Sequence, residues 1–204
     1  MARDWALRPQ FRSRFWRNAL RSFLLAVRNR AKAQALSVEG VNARNKLWRN
    51  NMLTRRDTLS IFASSVVFAY APAWAETHDM WSLEVLHDAL NRDLARLVDI
   101  RRPDEWTETG VAKGAWPIDM THPRFGERLF AARDLAKGRP VALICRTGHR
   151  SGFVMGKLRE ANATGFVDAV GGMLGAPGLP GWIEQGLPTV SKETALSNLP
   201  KELA

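Results

Sequence analysis

Cysteine is almost absent from this chain of 204 residues, which contains one. A single cysteine excludes an internal disulfide. The four histidines show no ligand-like spacing with carboxylates or thiols, so we expect no metal site and no cofactor. Residues 76–204 also lack internal repeats and low-complexity tracts. These absences make the one thiol the first place to look for chemistry.

Acidic residues are scarce in the first third of the chain. Residues 1–75 hold 14 Lys and Arg against three acids, whereas residues 76–204 hold 16 against 17. The net charge of +10 would suggest a protein that binds nucleic acid or a membrane. Because the excess is confined to the first third, we expect no nucleic-acid partner for the rest.

Long hydrophobic runs are missing as well. The apolar stretch Leu59–Ala71 is shorter than the ~20 residues of a membrane span. It follows a short basic start at Met52 and precedes Ala-x-Ala, the pattern of an export signal cleaved after Ala75. The pair Arg55-Arg56 resembles a twin-arginine signal, and ordinary secretion remains open. We therefore predict a signal peptide at 52–75 and a periplasmic mature form without a stable membrane span; the alternative is an uncleaved anchor.

The basic residues 1–51 precede this predicted signal. We interpret them as a disordered or mis-assigned start, an over-extended reading of the upstream frame. The alternative is a basic amphipathic helix over Phe11–Arg30 that suits a membrane surface. In both cases the N-terminal segment lies outside the fold, which we assign to a single domain at 76–204.

Apolar runs in residues 76–204 predict strands that alternate with helices. Such alternation predicts an α/β fold with a parallel sheet and helices on both faces. The predicted elements are a helix at Trp81–Leu90, a strand at Leu97–Ile100, a helix at Phe125–Ala136, strands at Pro140–Ile144 and Gly165–Val170, a helix after the cysteine loop, and a short helix at Trp182–Gly186.

The cysteine lies in the run Cys145–Ser151, between a predicted strand and a predicted helix. Backbone N–H groups at such a turn can converge on an anion, and Arg146 and Arg150 add positive potential. These conditions lower the pKa of a thiol and make it a nucleophile. The alternative is a small buried hydrophobic residue without chemistry.

Asp99 and Arg101 leave the end of another predicted strand. Ligands of parallel sheets bind beyond the carboxyl ends of the strands, so these residues could share a crevice with Cys145. Asp99 is then a candidate to pair with Arg146 or Arg150 and hold the loop in shape. The alternative is a solvated Asp near a turn.

Five motifs follow one another along residues 76–204: Leu97–Trp106, Gly110–Ala115, Cys145–Ser151, Gly171–Met173 and Pro180–Pro188. In this order the sequence resembles the rhodanese-like sulfurtransferases over nearly all of residues 76–204. Val111 and Lys113 depart from the family pattern, which usually has His and Pro at these positions.

The resemblance implies transfer of a sulfane sulfur through a persulfide on Cys145. The donor would be a small anion such as thiosulfate, and the acceptor cyanide or a thiol. The acceptor must be external, because no second cysteine exists to resolve the persulfide. The residues expected to bind the anion are Arg146, Thr147, Gly148, His149 and Arg150, supported by Asp99, Arg101 and Ser151.

Two other functions remain open on the same fold. One is a cysteine enzyme that handles phosphate or arsenate. Cys145 and Arg150 enclose four residues, whereas cysteine phosphatases enclose five, so the shorter loop favours sulfur. The other is a non-catalytic rhodanese-like binding module.

Overall fold

A computed structural model describes residues 79–204, together with four helical, exposed positions near the N-terminus: Leu24, Leu25, Arg28 and Asn29. Apart from these four positions, all residues before 79, including the predicted signal peptide at 52–75, lie outside the described residues. Among the helices that are described, none is long and apolar enough to cross a membrane.

A five-stranded sheet forms the centre of residues 79–204. Its strand order is β1-β6-β5-β2-β4, and every neighbouring pair is parallel. A separate antiparallel pair joins β3 to β7. The strands are β1 Met80–Trp81, β2 Arg96–Asp99, β3 Val111–Ala112, β4 Ala115–Pro117, β5 Val141–Ile144, β6 Phe166–Ala169 and β7 Thr189–Val190.

Within residues 79–204, five α-helices surround the sheet, and a 3₁₀ turn follows at Lys201–Leu203. The first helix begins after Ser82, whose hydroxyl accepts a hydrogen bond from the N–H of Val85 at 3.3 Å and so caps it. The helices are α1 Leu83–Asn91, α2 Pro103–Thr109, α3 Phe125–Leu135, α4 His149–Glu160 and α5 Lys192–Ser197.

Both faces of the sheet are buried. Side chains alternate along a strand, so Leu97 joins the cluster that contains Leu86 of α1, while its neighbour Val98 joins the cluster that contains Leu129 of α3 and Leu158 of α4. Consecutive apolar residues, such as Leu97-Val98 and the whole of β5, are therefore buried on both sides, as expected of a parallel sheet with helices on both faces. The predicted fold class is confirmed.

The short helix predicted at Trp182–Gly186 is wrong, because the segment forms a turn instead. The N–H groups of Trp182 and Ile183 bond the carbonyls of Gly172 and Met173, which ties the segment to an earlier loop. Gly186, at φ 67°, then turns the chain away. The two-residue strands β1, β3 and β7 were not predicted, since such short segments carry no periodicity.

Candidate active site

Cys145 directly follows β5 at the carboxyl end of the central sheet, and α4 begins four residues later. The turn between them depends on Gly148, which precedes the helix at φ 87° in the left-handed region. This strand-loop-helix arrangement agrees with the prediction from sequence. It directs the N–H of Gly148, the residue before α4, toward the sulfur.

Two groups of the loop contact the Cys145 sulfur. The N–H of Gly148 donates to Sγ at 3.2 Å, and the hydroxyl oxygen of Ser151 lies 3.5 Å from Sγ. The same hydroxyl donates to the carbonyl oxygen of Gly148 at 3.1 Å, which closes the loop. A sulfur at a helix N-terminus with an aligned N–H is in a favourable place to carry negative charge.

The thiol is nearly inaccessible, with 1% of Cys145 exposed. Arg146 and His149 are exposed, whereas Thr147 and Gly148 are half-buried. The exposed residues of the loop around the buried sulfur are therefore Arg146 and His149. The predicted anion-binding residues are adjacent to the sulfur in the loop, and their predicted roles stay predictions.

Arg150 is held by Glu105 of α2, not by Asp99. Its two terminal nitrogens donate to the two carboxylate oxygens of Glu105 at 2.7 and 2.5 Å. Burial opposes ionisation of Glu105, but the hydrogen bonds from Arg150 and from the N–H of Arg102 hold the pKa of Glu105 below its ordinary value. Burial likewise opposes the charge on Arg150, yet Glu105 raises the pKa of Arg150 above its ordinary value. Both groups are therefore charged in the folded protein.

The predicted pairing of Asp99 with Arg146 or Arg150 is wrong. Asp99 instead bonds Arg101, whose Nη2 lies 2.6 Å from Oδ2, and both side chains are fully buried. The guanidinium of Arg101 also donates to the hydroxyl of Thr109 and to the carbonyl oxygens of Glu105 and Gly110. Asp99 and Arg101 thus fix α2 relative to β2, and act on the loop only through the helix that carries Glu105.

Glu105 is the residue that sequence reasoning missed at this site. Its carboxylate accepts from the N–H of Arg102 at the start of α2, so it looks like an ordinary helix-capping residue in the sequence. Its partner Arg150 lies 45 residues further along the chain. The one sequence feature that could have identified Glu105 is its place beside Trp106, within the motif Leu97–Trp106.

A glycine turn packs against the other side of the cysteine loop. The N–H groups of Met173 and Leu174 donate to the carbonyls of Cys145 and Arg146, each at 2.8 Å. Gly172 is so close that a Cβ there would lie 2.7 Å from the carbonyl oxygen of Cys145. The backbone of this turn therefore fixes where the loop leaves β5.

The described residues contain no group of three or more His, Cys, Asp or Glu side chains arranged to hold a metal ion. The contacts to Cys145 are instead an N–H and a hydroxyl. Together with the parallel sheet, they define a class of α/β domain with a single cysteine at the N-terminus of a helix.

Comparison with known proteins gives the family. The sequence profile described as "Rhodanese-like domain" matches residues 82–176. This stretch is therefore a rhodanese-like domain, which confirms the resemblance, and the mainly parallel sheet flanked by helices is its fold. No curated protein matches the sequence.

Several solved structures are similar to the chain. A rhodanese-like domain from Anabaena sp. is 18% identical, with a TM-score of 0.43, over 61% of this chain and 86% of that one. A rhodanese-related protein from Thermoplasma volcanium is 24% identical, with a TM-score of 0.42, over 54% and 96%. A human single-domain sulfurtransferase is 23% identical, with a TM-score of 0.37, over 47% and 92%.

Proposed function

We propose that this protein is a sulfurtransferase that carries a sulfane sulfur as a persulfide on Cys145. The observation that carries the proposal is the sulfur itself, which accepts the N–H of Gly148 at 3.2 Å at the start of α4. The rhodanese-like domain at 82–176 supports the same chemistry. An N–H that already points at the sulfur can stabilise negative charge there without rearrangement.

The reaction would take place in two displacements. The Cys145 thiolate attacks the outer sulfur of thiosulfate, the S–S bond of the donor breaks, and sulfite leaves with the bonding electrons. Cyanide or an external thiolate then attacks the terminal sulfur of the persulfide, and Cys145 leaves as the thiolate. No net oxidant or reductant is required, and the same loop supports the sulfur charge in both steps.

The two loop arginines would have different tasks. Arg146 is exposed beside the buried sulfur, so it can attract and orient an anionic donor. Arg150 is bonded through both terminal nitrogens to Glu105, which leaves less of its guanidinium for a substrate. Cys145 and Arg150 enclose four residues, and this short loop favours sulfur over phosphate or arsenate as the cargo.

We also propose that the protein works in the periplasm after cleavage of residues 1–75. The support is the order of a basic start, an apolar stretch and Ala-x-Ala ahead of Glu76. N-terminal sequencing of the protein recovered from the periplasm of an expressing bacterium is expected to begin at Glu76. A protein that keeps residues 52–75 would contradict the cleavage.

The decisive experiment measures thiocyanate formed from thiosulfate and cyanide by the full-length chain. We expect Cys145→Ser to abolish this activity, with a circular dichroism spectrum like that of the native chain. Mass spectrometry after thiosulfate alone should find one added sulfur atom on the peptide that contains Cys145. Hydrolysis of a fluorogenic phosphate ester without that persulfide would overturn the proposal. Neither activity from a folded chain would favour the binding module.

A further inference from the structure

Asp168 is a half-buried acid near the cysteine loop, and the proposed reaction gives it no role. It lies in β6, between β1 and β5, with its backbone paired to Met80 and Leu143. Its Oδ1 atom is buried without a hydrogen-bond partner, and its Oδ2 atom lies 3.6 Å from the point where Gly152 of α4 would carry a Cβ. The carboxyl therefore lies against the first turn of α4, with its Oδ1 atom shielded from solvent.

Ser151 is the side chain that both this carboxyl and the thiol face. Ser151 is fully buried, and its oxygen lies 3.5 Å from Cys145 Sγ and 3.1 Å from the carbonyl oxygen of Gly148. Burial raises the pKa of Asp168 above its ordinary value, and the Ser151 hydroxyl and Arg159 oppose that rise in part. A hydroxyl has one proton to donate, whereas here a carbonyl, a sulfur and a carboxyl face it.

We propose that Asp168 is a positioning residue that controls, through Ser151, how readily Cys145 becomes a thiolate. The inference rests on the proposed role of Cys145 as the nucleophile. It adds a second ionisable group to the site, one that lies outside the cysteine loop.

Asp168 and Cys145 compete for the proton of the Ser151 hydroxyl, and this competition would couple their ionisation. An ionised Asp168 attracts the Ser151 proton and leaves a lone pair of Ser151 toward the sulfur, which favours the thiol. A neutral Asp168 can donate to the Ser151 oxygen, and the Ser151 proton is then free to bond the thiolate. The two acids thus oppose each other's ionisation through the hydroxyl that they share.

Other charges face the two groups. Arg159 of α4 faces Asp168 and is itself paired at 3.4 Å with Asp79, which precedes β1. Arg150 faces Cys145 and is paired with Glu105 of α2. Each cation has its own carboxylate partner, so neither one cancels the opposition between Asp168 and the thiolate.

The test measures the rate of Cys145 alkylation by iodoacetamide against pH in the full-length chain. We expect Asp168→Asn to move the midpoint to lower pH, with about tenfold faster alkylation on the acid side of the native midpoint. In a Ser151→Ala background the same change should have at most about a twofold effect, because the connecting hydroxyl is gone. Glu160→Gln is the matched control, since it removes an exposed acid of α4 that pairs with Lys157 and not with Arg159, and its profile should stay native.

An unchanged profile for Asp168→Asn would overturn the proposal, as would an equally large shift in the Ser151→Ala background. Asp168→Ser removes the same charge with a smaller side chain and carries the same expectation if Asn is not accommodated. Alkylation needs no sulfur transfer. A shifted profile without thiocyanate formation would sink the proposed function alone, and thiocyanate formation with an unshifted profile would sink this inference alone.

Discussion

Two buried ion pairs near the end of β2 differ in how much freedom they leave their arginine. In the Asp99–Arg101 pair the side chains are 0% and 1% exposed, and all three guanidinium nitrogens donate to protein groups. In the Glu105–Arg150 pair the Arg150 side chain remains 17% exposed. The first pair connects β2 to α2. The second connects α2 to the cysteine loop.

The difference separates a structural pair from one that belongs to the site. A charge enclosed among carbonyls has no contact left for a reactant, and its removal leaves buried donors without partners. Arg150 retains access to solvent beside Cys145, so it can add positive potential where the proposed anionic donor would arrive. Asp99 and Arg101 would affect the proposed reaction only through the helix that presents Glu105.

The largest expected effect comes from breaking the enclosed pair. Asp99→Asn leaves the Arg101 charge buried without a carboxylate, and we expect a loss of about 3–5 kcal/mol in the free energy of unfolding. Urea unfolding followed by circular dichroism measures it. Asp104→Asn is the matched control, since Arg102 and Asp104 form a pair with the same sequence separation on the surface, and it should cost less than about 1 kcal/mol. Equal losses in the two variants would show that enclosure is unimportant.

A smaller effect is expected where backbone, not charge, holds the loop. Gly172→Ala places a Cβ within 2.8 Å of Arg146 and closer still to Cys145, at φ 66°. We expect a loss of about 2–3 kcal/mol in the free energy of unfolding and a large fall in sulfur transfer, because the loop must move. Gly156→Ala is the control, since this glycine lies in α4 with nothing near its Cβ position, and the change should be neutral or stabilising. Native activity in Gly172→Ala would show that the loop tolerates displacement.

Much of the fold could be predicted from the sequence because its signals are local. The apolar runs at 97–100 and 140–144 are long enough to identify buried strands, and the glycine after Cys145 identifies the turn. The pairing of β3 with β7 could not be predicted, because two-residue strands far apart in the chain are specified by tertiary packing alone.

Only the part of the site that is local in the sequence could be predicted. Cys145 and its loop are contiguous, whereas the partner of Arg150 depends on how α2 approaches α4. Asp99 was assigned a distant arginine although Arg101 was two residues away. Because Asp99 is buried at the end of β2, its carboxylate pairs with Arg101, the arginine closest to it in the sequence.

The smallest effect concerns the pH dependence of the more exposed pair. The pKa of Glu105 is lowered in the folded protein from an ordinary value of 4.5, so its pairing stabilises the fold above that pH and is lost as the pH falls through the folded-state pKa. We expect Glu105→Gln to cost about 1–2 kcal/mol near pH 7 and progressively less toward acid pH. Asp168, whose pKa is raised, contributes with the opposite sign.

The difference in the free energy of unfolding between the native chain and Glu105→Gln therefore reports on Glu105 alone. The pH dependence of the native chain by itself also contains the contribution of Asp168. Urea unfolding at about pH 7 and about pH 3 measures this difference, with Glu108→Gln, an exposed change on the same helix, as the control. A difference that stays constant over this range would mean that Arg150 gains nothing from the charge on Glu105. The contrast between the two ion pairs would then lie in their hydrogen bonds alone.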